Sequence, residues 1–75
     1  MDIYGYHMAG DRVELFRKGN KCSSIAFSEI QQLSRCKCVV RVLMKNGEDI
    51  RIRTTETWKL FRDLRNMLNI IKGDD

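Results

Sequence analysis

The chain has 75 residues and a formal net charge of +4, a length that holds one domain and buries only about 60 % of the surface its unfolded form exposes. With 43 % hydrophobic residues it is too apolar for a disordered segment, yet no window approaches the roughly 18 apolar residues of a membrane span. Residues 1 to 10 have neither the basic start nor the apolar run of a secretory signal, so a cytoplasmic location is expected, and the charge excess is smaller than a dedicated nucleic-acid domain concentrates on one face.

Proline is absent, so the turn marks are Gly5, Gly10, Gly19-Asn20, Asn46-Gly47 and Gly73. Between them, strands are expected over 3–8, 12–18, 22–27, 38–44 and 48–54, each short and mostly rich in β-formers. The stretch SEIQQL, 28–33, lacks β-branched alternation and reads as a helical turn or a bend that carries Ile30 and Leu33 inward. From residue 55 the period changes. Trp58, Phe61, Leu64, Leu68 and Ile71 recur at three- and four-residue steps, which predicts an amphipathic helix over 55–71 with these five as core anchors. Thr54 or Thr55 is positioned to cap it, Glu56 complements its positive end, Lys59 and Asp63 form an i, i+4 pair, and Lys72 with Gly73 supplies the stop. A helix with one apolar stripe needs a sheet face to cover. The expected fold is therefore α+β: one domain over 1–75, a partly curved antiparallel sheet of about five strands, capped by the C-terminal helix.

The hairpin within CVVRVLMKNGEDIRIRT, residues 38–54, has two candidate registers. A two-residue Asn46-Gly47 loop pairs Val42 with Arg51 and Val40 with Arg53, mixing apolar and charged side chains on one face. A three-residue loop, Lys45-Asn46-Gly47, with Gly47 left-handed in a bulge, pairs Val42 with Ile50 and Val40 with Ile52 and separates the faces. In that register Arg41, Arg51 and Arg53 share the outer face with Val39, Leu43 and Asp49. Arg41 lies across from Arg51, a like-charge pair that an anion would relieve. Arginine's planar fork suits phosphate and carboxylate groups. A solvated sheet face accounts for the same residues, whereas Val39 and Leu43 among the arginines favour a protein interface.

Other residue sets carry less chemistry. Cys22, Cys36 and Cys38 cannot all pair with one another, and a Cys-x-Cys step is too tight for easy disulfide closure. With His7 they make up a Cys₃His zinc set in number, but the one-residue gap departs from the usual ligand spacing, so buried structural thiols are expected and no metal. Thiol catalysis needs a base, and His7 is the sole histidine. The carboxylates fall on separate elements, and there is no phosphate loop, nucleophile elbow or cofactor motif. Neither an enzyme nor a small-molecule substrate is expected. Trp58, Tyr4 and Tyr6 would suit base stacking, but Trp58 reads more simply as core.

Three segments, IAFSEIQQL, VVRVLMKNGEDIRIR and TWKLFRDLRNML, spanning residues 25–68, resemble the C-terminal half of pleckstrin-homology-like and GRAM-type domains. The resemblance lies in hydrophobic spacing, a hairpin with Asn-Gly and a helix with an aromatic. It implies a curved antiparallel sheet closed at one end by the helix and a role in membrane or protein recruitment. That family normally has seven strands, and the few basic groups near 9–11 argue against lipid binding. The expected function is a non-enzymatic interaction module, adaptor- or inhibitor-like, that holds a protein partner through an exposed sheet face or edge. Arg41, Arg51, Arg53, Leu43 and Val39 are the expected contact residues. Open edges also make a homo-oligomer possible. The alternative is a nucleic-acid-binding module on the same arginine face.

Overall fold

The computed structural model describes residues 1–71. It contains β1 (Gly5–Ala9), β2 (Arg12–Arg17), β3 (Lys21–Ala26), a 3₁₀ turn (Phe27–Glu29), β4 (Ile30–Cys36), β5 (Val39–Met44), β6 (Asp49–Arg53) and α1 (Thr57–Ile71). The strands form two three-stranded antiparallel sheets, ordered β1-β2-β3 and β4-β5-β6. The α+β class with a C-terminal helix is as expected. The single sheet of about five strands is corrected to six strands in two sheets.

The missed strand is β4, and its irregularity explains why. A register shift between Ile30 and Gln32 puts an extra residue into its pairing with β5. Such a bulge breaks strict alternation. Ile30 is therefore buried opposite Met44, and Leu33, three residues on, is half-buried opposite Val42. The turn expected near 28–33 is present one residue earlier, at Phe27–Glu29. It carries the chain from one sheet to the other. The Phe27 amide donates to the Asp11 carbonyl at 3.0 Å and the Lys45 amide to the Glu29 carbonyl at 2.8 Å, so the turn is tied to both sheets.

Residues 1–4 join the sheets on the other side. The expected first strand, 3–8, begins only at Gly5, because the residues before it run along β6. Asp2 makes a parallel bridge with Arg53. The Arg53 amide donates to the Met1 carbonyl at 2.7 Å and the Ile3 amide to the Arg53 carbonyl at 2.9 Å, whereas the Tyr4 amide donates to Phe16 of β2 at 3.0 Å. Ile3 drops into the core at this crossing. Part of the β6 edge, a place expected to be open for strand pairing, is thus already occupied.

The core combines Val13, Leu15 and Ile25 from the first sheet with Ile30, Val40, Val42, Met44 and Ile52 from the second, together with Phe27, Leu60 and Leu64. The hairpin register is the one the three-residue loop requires. Val40 faces Ile52, Val42 faces Ile50, and Gly47 has φ +95°. The Met44 amide donates to the Glu48 carbonyl at 2.8 Å and the Gly47 amide to the Met44 carbonyl at 2.9 Å, which closes the bulged turn.

The helix stripe is rotated relative to expectation. Thr57, Leu60 and Leu64 are buried, with Phe61, Met67 and Leu68 packed beside them. Trp58 is 54 % exposed and Ile71 is also exposed, so neither is a core anchor. The expected cap is a turn instead: Thr54 Oγ1 accepts from the Glu56 amide at 3.3 Å, and the buried Thr57 hydroxyl lies 2.8 Å from the Thr54 carbonyl and 3.1 Å from the Cys38 carbonyl. That contact fastens the helix start to the β4–β5 turn. Asp63 does not pair with Lys59 among the described residues; its carboxylate lies 3.7 Å from Arg62 and accepts from the Tyr6 hydroxyl. The expected stop at Lys72 and Gly73 lies outside the described residues. None of the described helices is long and apolar enough to cross a membrane.

Lys37 has φ +54° in the two-residue turn between Cys36 and Val39. A side chain with a Cβ is disfavoured in this region, and glycine is not. Lys37→Gly relieves about 1–2 kcal/mol of left-handed strain but frees the unfolded chain by about 0.5–1 kcal/mol, so a net stabilisation of about 0.5 kcal/mol is expected, seen as a higher denaturant midpoint with an unchanged slope. A lower midpoint would mean that the lysine stem holds the turn by packing.

Candidate functional site

Strand pairing sets out the outer face of the second sheet as three rows. Cys36 pairs with Val39, which pairs with Arg53; Ser34 with Arg41, then Arg51; Gln32 with Leu43, then Asp49. Alternation dictates this face, because Val40, Val42 and Ile52 point into the core from the neighbouring positions. All five expected contact residues lie on it.

Its charges are partly paired from within. Arg41 Nη2 donates to Asp49 Oδ2 at 2.7 Å, and Arg51 Nη2 stands 3.9 Å from the same oxygen. The hydrogen bond from Arg41 holds the Asp49 carboxyl below the usual carboxylate range and raises the already high pKa of Arg41. The repulsion expected where Arg41 faces Arg51 is thus relieved by a carboxylate of the chain itself. Arg51 remains the more open of the two, with 68 % of its side chain exposed against 48 % for Arg41. Among the described residues, Arg53 and Lys37 make no ion pair.

The upper end of the face is concave. An open cleft of about 640 Å³ is lined by Arg41, Arg51, Arg53 and Val39, by Cys36, Lys37 and Cys38 of the turn, and by Met1 and Asp2. Leu43 is not among these. It lines a separate depression of about 80 Å³ with Gln32, Ser34, Arg41 and Asp49. A second open cleft, about 620 Å³, shares Asp2, Lys37, Cys38 and Arg53 with the first and continues past Arg35 to Trp58. Arg35 lies over the Trp58 ring at 4.9 Å, and Trp58 stacks on Phe61 at 6.3 Å. Tyr4, 69 % exposed, is near Phe16, whereas Tyr6 is half-buried against the helix.

Lys37, Cys36 and the first two residues were not expected at the site. With β4 unread, the Cys-Lys-Cys stretch belonged to no turn. The pairing of Cys36 with Val39 is the signal that would have placed it. All three thiols are exposed, which corrects the expectation of buried cysteines. Cys36 and Cys38 flank an exposed turn, and Cys22 lies on the other sheet, opposite Phe16. Among the described residues, no three His, Cys, Asp or Glu side chains come together as a metal site requires. No protein-family model matches the chain, and no curated protein matches it in sequence.

Proposed function

We propose that this chain is a non-enzymatic interaction module that holds an acidic segment of a protein partner on the outer face of β4-β5-β6. The observation that carries the reading is the cleft, where Lys37, Arg41, Arg51 and Arg53 converge with Asp2 as the acidic group among the described lining residues, and with Asp49 beside it on Arg41. Open arginine forks beside an apolar strip of Val39 recognise carboxylates at a protein interface. The pleckstrin-homology-like resemblance belongs to the same reading. A sixth strand, two antiparallel sheets and a closing C-terminal helix support it, bringing the strand number nearer to the seven of that family.

Nucleic acid is the second reading, favoured by the exposed Trp58 between Arg35 and Phe61, since aromatics interleaved with cations stack bases. One experiment separates the two. Affinity capture from a cytosolic extract, with and without nuclease, compares the wild type with the Arg51→Glu/Arg53→Glu variant. A protein retained after nuclease and lost with the variant supports the acidic-partner reading. Capture that nuclease abolishes transfers the face to nucleic acid, and capture unaffected by the charge reversal makes it solvated surface.

A further inference from the structure

We propose that the cleft thiols, Cys36 and Cys38, are a modification site for anionic low-molecular-weight disulfides of the glutathione class, taking one mixed-disulfide adduct. Both thiols are exposed and line the cleft that holds Lys37, Arg41, Arg51 and Arg53. Cys36 stands in the same cross-strand row as Arg53 and one row from Arg41 and Arg51. Clustered like charges in a concave wall raise the local concentration of an oppositely charged reactant and its rate of encounter. The cleft offers room for a tripeptide as well as charge. Cys22 is also exposed, on the other sheet and outside this cleft, beside Lys21 of the Arg17–Lys21 cross-strand pair, so it serves as the comparison thiol without the concave wall.

The exchange needs no oxidant beyond the disulfide itself. A cleft sulfur, having given its proton to solvent, attacks one sulfur of the reagent; a protein–glutathione S–S bond forms as the reagent's own S–S bond breaks. The other half leaves as a thiolate and takes up a proton. The neighbouring thiol would normally expel the second glutathione by closing an intramolecular bridge. Here that step is hindered. A Cys-x-Cys ring is tight, and closing it would move Cys38, whose carbonyl lies 3.1 Å from the Thr57 hydroxyl. The adduct therefore accumulates. If the face holds an acidic partner, as proposed above, the glutathione carboxylates would occupy the same arginines and oppose that partner.

The test reads adduct mass and not partner binding, so it stands or falls separately from the proposed function. The Cys22→Ser variant, which keeps the cleft thiols, and the Cys36→Ser/Cys38→Ser variant, which keeps Cys22, are treated with oxidised glutathione and, in parallel, with the cationic disulfide cystamine. The expected result is one glutathione adduct on the cleft variant, formed about tenfold faster per thiol than on Cys22. The preference should vanish with cystamine, in added salt and on the Arg51→Glu/Arg53→Glu background. Equal rates at the two sites with glutathione, or a cleft preference that persists with cystamine, would overturn the proposal. So would rapid closure to a Cys36–Cys38 bridge with release of the adduct.

Discussion

Phe27→Ala is expected to destabilise the protein by about 3–5 kcal/mol. Phe27 is the largest side chain in the core to be fully enclosed, at 1 % exposure. It sits in the 3₁₀ turn where the chain leaves β3 of one sheet and enters β4 of the other. Its amide is fixed to the Asp11 carbonyl, and two residues on, Glu29 accepts from Lys45, so the backbone cannot sag to close the void. A cavity whose walls cannot relax carries the full cost of lost contacts. At 75 residues the whole stability falls in the range of about 4–11 kcal/mol. The variant should therefore be marginally folded or unfolded in mild denaturant. Phe27→Leu, which keeps most of the volume, should cost about 1.5 kcal/mol or less. Denaturant titration of both checks this. A loss below about 1 kcal/mol for the alanine variant would show that the turn moves and the sheets re-pack around the gap.

The parts of this fold that were legible are those where local rules agree. The hairpin of β5 and β6 combines an Asn-Gly turn with two clean alternations, and only one loop length separates its faces. It therefore yields register, Gly47 conformation and the outward arginines together. β4 was not legible. Its bulge places Ile30 and Leu33 on the same side at a three-residue spacing, which looks helical in sequence and is extended only because β5 supplies the pairing. In α1 two apolar stripes overlap, one through Thr57, Leu60 and Leu64 and one through Trp58, Phe61 and Leu64. How the helix sits on the sheet decides between them, and its first turn is fastened by the Thr57 contact with the β4–β5 turn. The site divides in the same way. Alternation places Arg41, Arg51 and Arg53 on one face, but the concavity depends on the Cys36–Cys38 turn and on Met1 and Asp2 lying along β6. No local pattern encodes those tertiary placements.

The tie between the first sheet and the helix leads to the second large effect, which depends on pH. The Tyr6 hydroxyl of β1 donates to Asp63 Oδ2 of α1 at 2.8 Å, at the boundary between core and solvent. Burial first, and then the hydrogen bond and charge of Asp63, push the Tyr6 phenol well above its ordinary range. Tyr6→Phe removes this donor and leaves the carboxylate with Arg62 alone at 3.7 Å. The expected loss is about 1–2 kcal/mol near neutral pH, since a hydrogen bond to a charged acceptor is worth more than a neutral one. The sign of the pH dependence follows from the raised pKa. Below the ordinary tyrosine pKa of about 10 the phenol is neutral in both folded and unfolded chains, and its stabilisation is complete. Above it the unfolded chain gives up the proton while the folded chain retains it, so the contribution fades as the pH climbs toward the folded pKa. The stability gap between wild type and Tyr6→Phe should therefore hold constant from neutral pH to about 9 and narrow beyond about 10. The two proteins differ at this hydroxyl alone, so the difference between the two curves isolates Tyr6. Curves that stay parallel through this range would mean that the hydroxyl is free in solution and makes no tie between β1 and the helix.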